Sequence, residues 1–201
     1  RPAHKAKLDD VVAMCAESYR DHPRLDDVLR VIRAAFPEGR WLSRPLEELS
    51  DPTVPTGERV RRQREDAIEL AEAAAATALR SSNVRPGEVG YLIVANNSLG
   101  TPGIDVEIAQ RLGLSPRARR VNIATDGCAG GVHGLALGAQ LVDYLRFGPC
   151  LVVTADLPCP WIHPSDTGMD NMIFRGFASD MAAACVLTPD SAGAPRVFDS
   201  W

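Results

Sequence analysis

The stretch TDGCAGGVHGLALGAQLV, residues 125–142, sets one cysteine, Cys128, between a short apolar run and a long apolar-periodic segment, with glycines on both sides. Cysteine is a nucleophile as the thiolate, a form favoured by the unpaired amides and positive dipole end at a helix start. Gly127, Gly130 and Gly131 leave space for a tight strand-to-helix turn and for a substrate to approach the sulfur. These residues allow two readings: a reactive thiol displayed at a helix start, or a small buried residue in a glycine turn. The other cysteines, Cys15, Cys150, Cys159 and Cys185, are well spread, with no C-x-x-C pair to suggest zinc or a redox motif. Reduced thiols are expected. Cys15 falls in an amphipathic pattern and Cys150 and Cys185 in strand-like runs, so packing is their expected role, and Cys159 is the rival to Cys128. His133, five residues after Cys128, is more than one helical turn on and is expected to point to another part of the helix surface. His163 reads as a loop histidine bonded to backbone, and His4 and His22 as surface residues.

The elements that must position Cys128 follow from periodicity. YLIVAN, RVNIAT and CLVVTAD are short apolar runs, separated by helical patterns from about Gly103 to Leu112 and from about Ala129 to Leu145. This β-α-β-α-β order predicts a mostly parallel sheet covered by helices, with ligands beyond the carboxyl ends of the strands, where Cys128 lies. A long alanine-rich helix from about Gly57 precedes it and stops at SSNVRPGE. MAAACVLT and PRVFDSW read as two further strands, antiparallel to each other. LDDVVAMCAESY and LDDVLRVIRAAF read as amphipathic helices, and residues 41–56 as a proline-rich surface loop. The expected organisation is a helical preface and loop over residues 1–56 and a core bearing the nucleophile over residues 57–201.

The chain has 201 residues, 45% of them apolar, and a net charge of −4. That composition suits one globular domain and argues against nucleic acid as a main partner, because phosphate binding rests on concentrated positive charge. The basic runs RVRRQR (59–64) and RARR (117–120) read as solvated faces rather than a phosphate site. No run approaches the roughly 18 apolar residues of a membrane helix, and the start RPAHKAKLDD has no signal-peptide core, so a soluble, cytoplasmic protein with no membrane partner is expected.

DGCAGG after a strand, YLIVANNSLGTPGID upstream, RLGLSPRARRV between them and HPSDTGMD downstream resemble the N-terminal part of a bacterial type III polyketide synthase, a chalcone-synthase-like member of the thiolase superfamily. AESYRDHPRLDDVLRVIRAAF and RWLSRPLEEL extend the resemblance over nearly the whole chain. It implies an α/β, thiolase-type fold, with a mixed, mostly parallel sheet between helix layers, of which this chain is the N-terminal half. It also implies that Cys128 takes an acyl group from a coenzyme A starter and that the enolate of decarboxylated malonyl-CoA attacks the thioester. Asn97 and Thr101 match positions lining the reaction cavity, and Thr101 matches the one that crosses a dimer interface, which implies a homodimer. Trp161 and PSDT (164–167) match a cavity-side loop, and Arg30 or Arg33 falls where basic residues meet coenzyme A phosphates, a task suited to guanidinium groups. Coenzyme A thioesters are implied as substrates, with no further cofactor and no metal.

The chain departs from the family pattern in three places. Only Ala129 separates Cys128 from Gly130 and Gly131, where the family has two residues. The family's Phe-Gly-Asp-Gly segment reads Ala178-Ser179-Asp180-Met181, which replaces the aromatic residue at the cavity entrance by Ala178. The catalytic histidine and asparagine are expected in a C-terminal half, beyond Trp201 on the same or another chain. Two further readings remain open on sequence: a ketoacyl-acyl-carrier-protein synthase III-like condensing enzyme, and a non-catalytic thiolase-fold half that serves as a partner subunit.

Overall fold

β3 (Tyr91–Ala95) is buried at every position and is one of the two inner strands of a four-stranded sheet of order β4-β3-β5-β6 in the computed structural model. The structure describes residues 1–35, 39–99, 102–124, 126–189, 195 and 197. β4 (Arg119–Ile123) and β5 (Cys150–Asp156) both run parallel to β3, with Ile93 opposite Val121 on one side and Val152 on the other. An all-apolar strand such as YLIVA is stable only with both faces covered, which the helices supply. α5 (Asp105–Arg111) packs on β3 and β4, and α6 (Gly130–Gln140) on β3 and β5. β6 (Met181–Leu187) completes the sheet. This mixed, mostly parallel α/β arrangement is the expected one.

These elements belong to one of two compact units, Ala67–Asp156 with Ala182–Trp201; the other is Arg1–Asp66 with Leu157–Met181. α4 (Thr56–Ser82) contributes to both, and the alanines at 67, 71 and 75 on its buried face recur every four residues. Asn83, in the left-handed region at φ 56°, ends it, while the amide of Val84 donates back to the Leu79 carbonyl.

The first unit packs α1 (Leu8–Ser18), α2 (Leu25–Ala35) and α8 (Met169–Phe177) around a core that includes Val12, Cys15, Tyr19, Val28, Ile32, Met172 and Ala178. A two-stranded antiparallel sheet of β1 (His4–Ala6) and β2 (Arg40–Leu42) joins it, with α3 (Leu46–Ser50) and α7 (Pro158–Trp161). α2 and α8 touch where α8 has no side chain: a Cβ on Gly176 would stand 2.1 Å from Ile32 Cδ1.

Several expectations change. Residues 41–56 are not a plain loop, since β2 and α3 occupy Arg40–Leu42 and Leu46–Ser50. Three residues are too short to show periodicity, and β2 is defined by its partner β1. The helix expected from Ala129 to Leu145 is a 3-10 turn (Gly127–Ala129), then α6, then a π-helical turn (Leu141–Leu145) ended by Arg146 at φ 46°. α8 is not among the expected helices. The strand expected at residues 195–201 lies largely outside the described residues; Pro195 and Val197, which are described, are not in a strand.

Candidate active site around Cys128

Parallel strands that end side by side leave their last residues facing the next helix start. β3 ends at Ala95, β4 at Ile123 and β5 at Asp156. The first turn of α6 rests on them: a Cβ built on Gly130 would stand 3.5 Å from Ala95 Cβ and 3.6 Å from Ile123 Cγ2, and one on Gly131 3.1 Å from Thr154 Cγ2. One turn on, Gly134 lies tight against Val152 and Ile93, and a Cβ on Gly138 would stand 2.7 Å from Leu187 Cδ1 and 3.1 Å from Cys150 Sγ. Glycines 130, 134 and 138 thus form a stripe at four-residue spacing that lets α6 lie close on the sheet. In sequence the glycines flanking Cys128 point to the tight turn, and the four-residue spacing of Gly130, Gly134 and Gly138 is the signal for the stripe.

Cys128 sits in the middle of the 3-10 turn that leads into α6 and is exposed. Gly127, just before it, takes φ 56°, a conformation glycine adopts without a Cβ penalty. Two side chains hold this turn from outside. Asn97 Nδ2 donates to the Gly127 carbonyl at 2.6 Å, and the Asn97 amide donates to Asp156 Oδ1 at 2.6 Å. Asp156 therefore ties the end of β5 to the segment after β3, which in turn holds the cysteine turn. Beside it, the Asn96 amide donates to the Ile123 carbonyl at 2.9 Å, and Asn96 Nδ2 to Asn122 Oδ1 at 3.1 Å. The second tether is His133, whose Nδ1 lies 2.5 Å from Asp126 Oδ2. Side chains lean toward a helix's N-terminus, so His133 reaches back toward a residue two turns earlier. In sequence, the spacing of His133 from Cys128 points it to another part of the helix surface and does not name Asp126 as its partner.

The other four thiols are set apart by burial. It raises those of Cys15 and Cys185, pushes Cys150 up to about 12, and holds Cys159 well above the ordinary thiol range, with Asp180 adding to the effect. Cys159 donates its S–H to the Ala178 carbonyl at 3.3 Å. Only the thiolate is strongly nucleophilic, so these groups are poor nucleophiles, and the rival reading of Cys159 loses its basis.

The remaining expected site residues fall as follows. Asn97 lies beside the Cys128 turn, and Thr101 lies outside the described residues. Trp161, Ala178, Arg30 and Arg33 belong to the other unit. There Trp161 is exposed, whereas Ala178 is buried in the core. Arg30 is paired with Asp27 at 2.6 Å on the exposed side of α2, and Arg33 is exposed on the same helix. His163 Nδ1 accepts from the Ser165 amide. Asp166, in the PSDT segment, accepts from the Gly168 amide and from Asn171, which fixes the start of α8. Among the described residues no cluster of three or more His, Cys, Asp or Glu could hold a metal ion.

The basic runs are largely absorbed internally. Arg59 is buried and donates to the carbonyls of Leu49 and Asp51, Arg61 pairs with Glu58 and Glu65, and Arg62 with Glu58 and Glu48. Arg120 pairs with Asp105, and Arg119 stacks over the Phe147 ring.

Residues 46–191 match the family described as chalcone and stilbene synthases, N-terminal domain. The chain is 29% identical over 197 residues to acylalkylpyrone synthase csyB of Aspergillus oryzae, covering 92% of this chain and 50% of that protein. A crystal structure of CsyB complexed with CoA-SH superposes with a TM-score of 0.83 at 24% identity, covering 97% of this chain and 56% of that one. The 1,3,6,8-tetrahydroxynaphthalene synthase of Streptomyces coelicolor, a bacterial type III polyketide synthase, superposes with a TM-score of 0.87 at 19% identity, covering 94% of this chain and 55% of that one. The chain thus spans about half the length of these relatives.

Proposed function

The chain belongs to the chalcone and stilbene synthase family, and on that premise we propose that it is the Cys-bearing half of a type III polyketide synthase in which Cys128 is the acyl-accepting nucleophile. The observation that carries this reading is the placement of Cys128: the one exposed cysteine, on a tethered turn above the carboxyl ends of three strands. In the proposed reaction the Cys128 sulfur attacks the thioester carbonyl of an acyl-CoA. The bond from acyl carbon to Cys128 forms as the bond to coenzyme A breaks, and coenzyme A leaves as the thiol with the proton that Cys128 gives up. Malonyl-CoA then loses CO2 to give an enolate, whose carbon attacks the acyl-Cys128 carbonyl. The sulfur–carbon bond breaks, freeing Cys128 and yielding a 3-ketoacyl-CoA.

Enolate formation calls for hydrogen-bond donors aimed at the developing oxyanion. The histidine and asparagine that the resemblance assigns to a C-terminal half are proposed to supply them. The substrate-side roles of Asn97, Thr101, Trp161, Ala178, Arg30 and Arg33 belong to the same proposal, as does a homodimer, which the exposed edge strand β4 supports. The substrates carry the reactive chemistry themselves, so no further cofactor is invoked. No described helix is long and apolar enough to cross a membrane. The family match favours this reading over a carrier-protein-dependent ketosynthase.

The test is to incubate the protein with an acyl-CoA, digest it at low pH and map the adduct by mass spectrometry. A thioester on Cys128 that disappears in Cys128→Ala is the expected result. An adduct on Cys159 with Cys128 unmodified would overturn the assignment.

A further inference from the structure

We infer that His133 is a positioning residue for Cys128: by donating from Nδ1 to Asp126 it holds the turn that displays the thiol. The inference rests on Cys128 being the acyl-accepting nucleophile. A carboxylate has no proton to give, so at 2.5 Å from Asp126 Oδ2 the Nδ1 of His133 must carry the hydrogen. Asp126 stands at the N-cap of the 3-10 turn, where an aspartate ordinarily accepts from the first free amides of the helix. It makes no such bond; its carboxylate is turned to His133 instead.

The turn itself is short, a 3-10 turn of three residues. Gly127 has the conformational freedom of glycine, and across Cys128 the chain closes through two backbone bonds, from the Ala129 amide to the Asp126 carbonyl at 3.2 Å and from the Gly130 amide to the Gly127 carbonyl. Asn97 fixes Gly127 and His133 fixes Asp126, one and two residues before the sulfur-bearing residue. Cys128 stays exposed while the chain before it is pinned on two sides. The pair is itself exposed, with side-chain exposures of 58% for His133 and 35% for Asp126, so its contribution to global stability is small. Its effect falls on the geometry of the nucleophile, where a displacement of about 1 Å can cost up to about a hundredfold in rate.

The experiment compares the protein with His133→Leu, which removes the donor, and His133→Asn, whose side-chain amide places an N–H where Nδ1 stands. The rate of acyl transfer from an acyl-CoA to Cys128 is followed by mass, together with the melting temperature. His133→Leu is expected to slow loading roughly tenfold with little change in melting temperature, and His133→Asn to stay within about twofold of the parent. Adding Asp126→Ala to His133→Leu should bring no further loss, since both remove one interaction. Loading by His133→Leu at the parent rate, or His133→Asn as slow as His133→Leu, would overturn the inference. If the parent protein forms no adduct on Cys128, the proposed function fails instead. Alkylation of Cys128 by iodoacetamide, which needs no acyl-CoA, then reads the tether through the same order of rates: an unchanged rate in His133→Leu refutes it, and a slowed rate restored in His133→Asn upholds it.

Discussion

Asp180 is fully buried, and its carboxyl oxygens accept from the Ser43 amide and hydroxyl, both at 2.8 Å, and from the Cys159 amide at 3.0 Å. It therefore joins the segment after β2 to α7 within one unit, inside the 178–181 stretch that departs from the family pattern. Asp180→Ala leaves these donors without acceptors, and chemical denaturation is expected to show a loss of about 2–4 kcal/mol. A change below about 0.5 kcal/mol would mean that the segment repacks around other acceptors. The cysteines give a second test at this scale. Under native conditions at neutral pH, iodoacetamide should modify Cys128 first, while Cys15, Cys150 and Cys159 react only on unfolding, because their burial both blocks access and raises the thiols. Peptide mapping that finds Cys159 labelled as fast as Cys128 would contradict this.

Helix contact in the first unit turns on one missing side chain. α8 meets α2 at Gly176, where an added methyl would fall 2.1 Å from Cδ1 and 2.3 Å from Cγ1 of Ile32. Ile32 is fully buried and cannot swing into solvent. Gly176→Ala is therefore expected to destabilise by about 1–3 kcal/mol through overpacking, despite alanine's better helix propensity. Ile32→Ala alone opens a cavity and is expected to cost more, about 2–5 kcal/mol. In the double variant the new methyl occupies part of the vacated space, so the two losses should sum to more than the double variant shows. Simple additivity in urea denaturation would mean that α2 and α8 do not meet as described.

For the molecule as a whole, acid stability follows from hydrogen bonds that favour ionised carboxylates, given by arginines to Glu48 and Glu58 and by Thr53 to Asp51. Hydrogen bonds from Arg44 lower the Glu48 carboxyl, those from Arg61 and Arg62 hold Glu58 down at about 2, and the Thr53 hydroxyl and amide lower Asp51. In each case the folded-state value lies below the unfolded one, 4.5 for glutamate and 3.8 for aspartate. The stability they contribute is then fully present above about pH 4.5 and is lost as the pH falls toward about 2. Melting temperature is thus expected to vary little from these groups between neutral pH and about 5 and to fall below that. Glu48→Gln should make the fall shallower. These contacts are largely solvent-accessible, so added salt should weaken their share at neutral pH. An equal acid profile for parent and Glu48→Gln would remove Glu48 from this account.

Local patterns alone determined a good part of this protein. Four-residue apolar spacing predicts α1, α2 and α4, and the apolar runs YLIVAN, RVNIAT and CLVVTAD mark β3, β4 and β5, because burying a face imposes a period on the chain. The same strand–turn–helix order points to Cys128 at the carboxyl edge of the sheet, and the motif resemblance to its family. Tertiary structure decided what depends on residues far apart in sequence. β2 exists through its pairing with β1, where Trp41 lies opposite Lys5, thirty-six residues earlier, and Asp180 acts through Ser43 and Cys159. The burial of Ala178 and Cys159 in one core depends on residues brought to them from α1, α2 and β2. The exposure that separates Cys128 from the other thiols, and the bonds from Asn97 and His133 that hold its turn, arise only when strands and helices are packed together. Spacing along a chain reports which face a residue shares; which partner it meets across that face is a property of the folded whole.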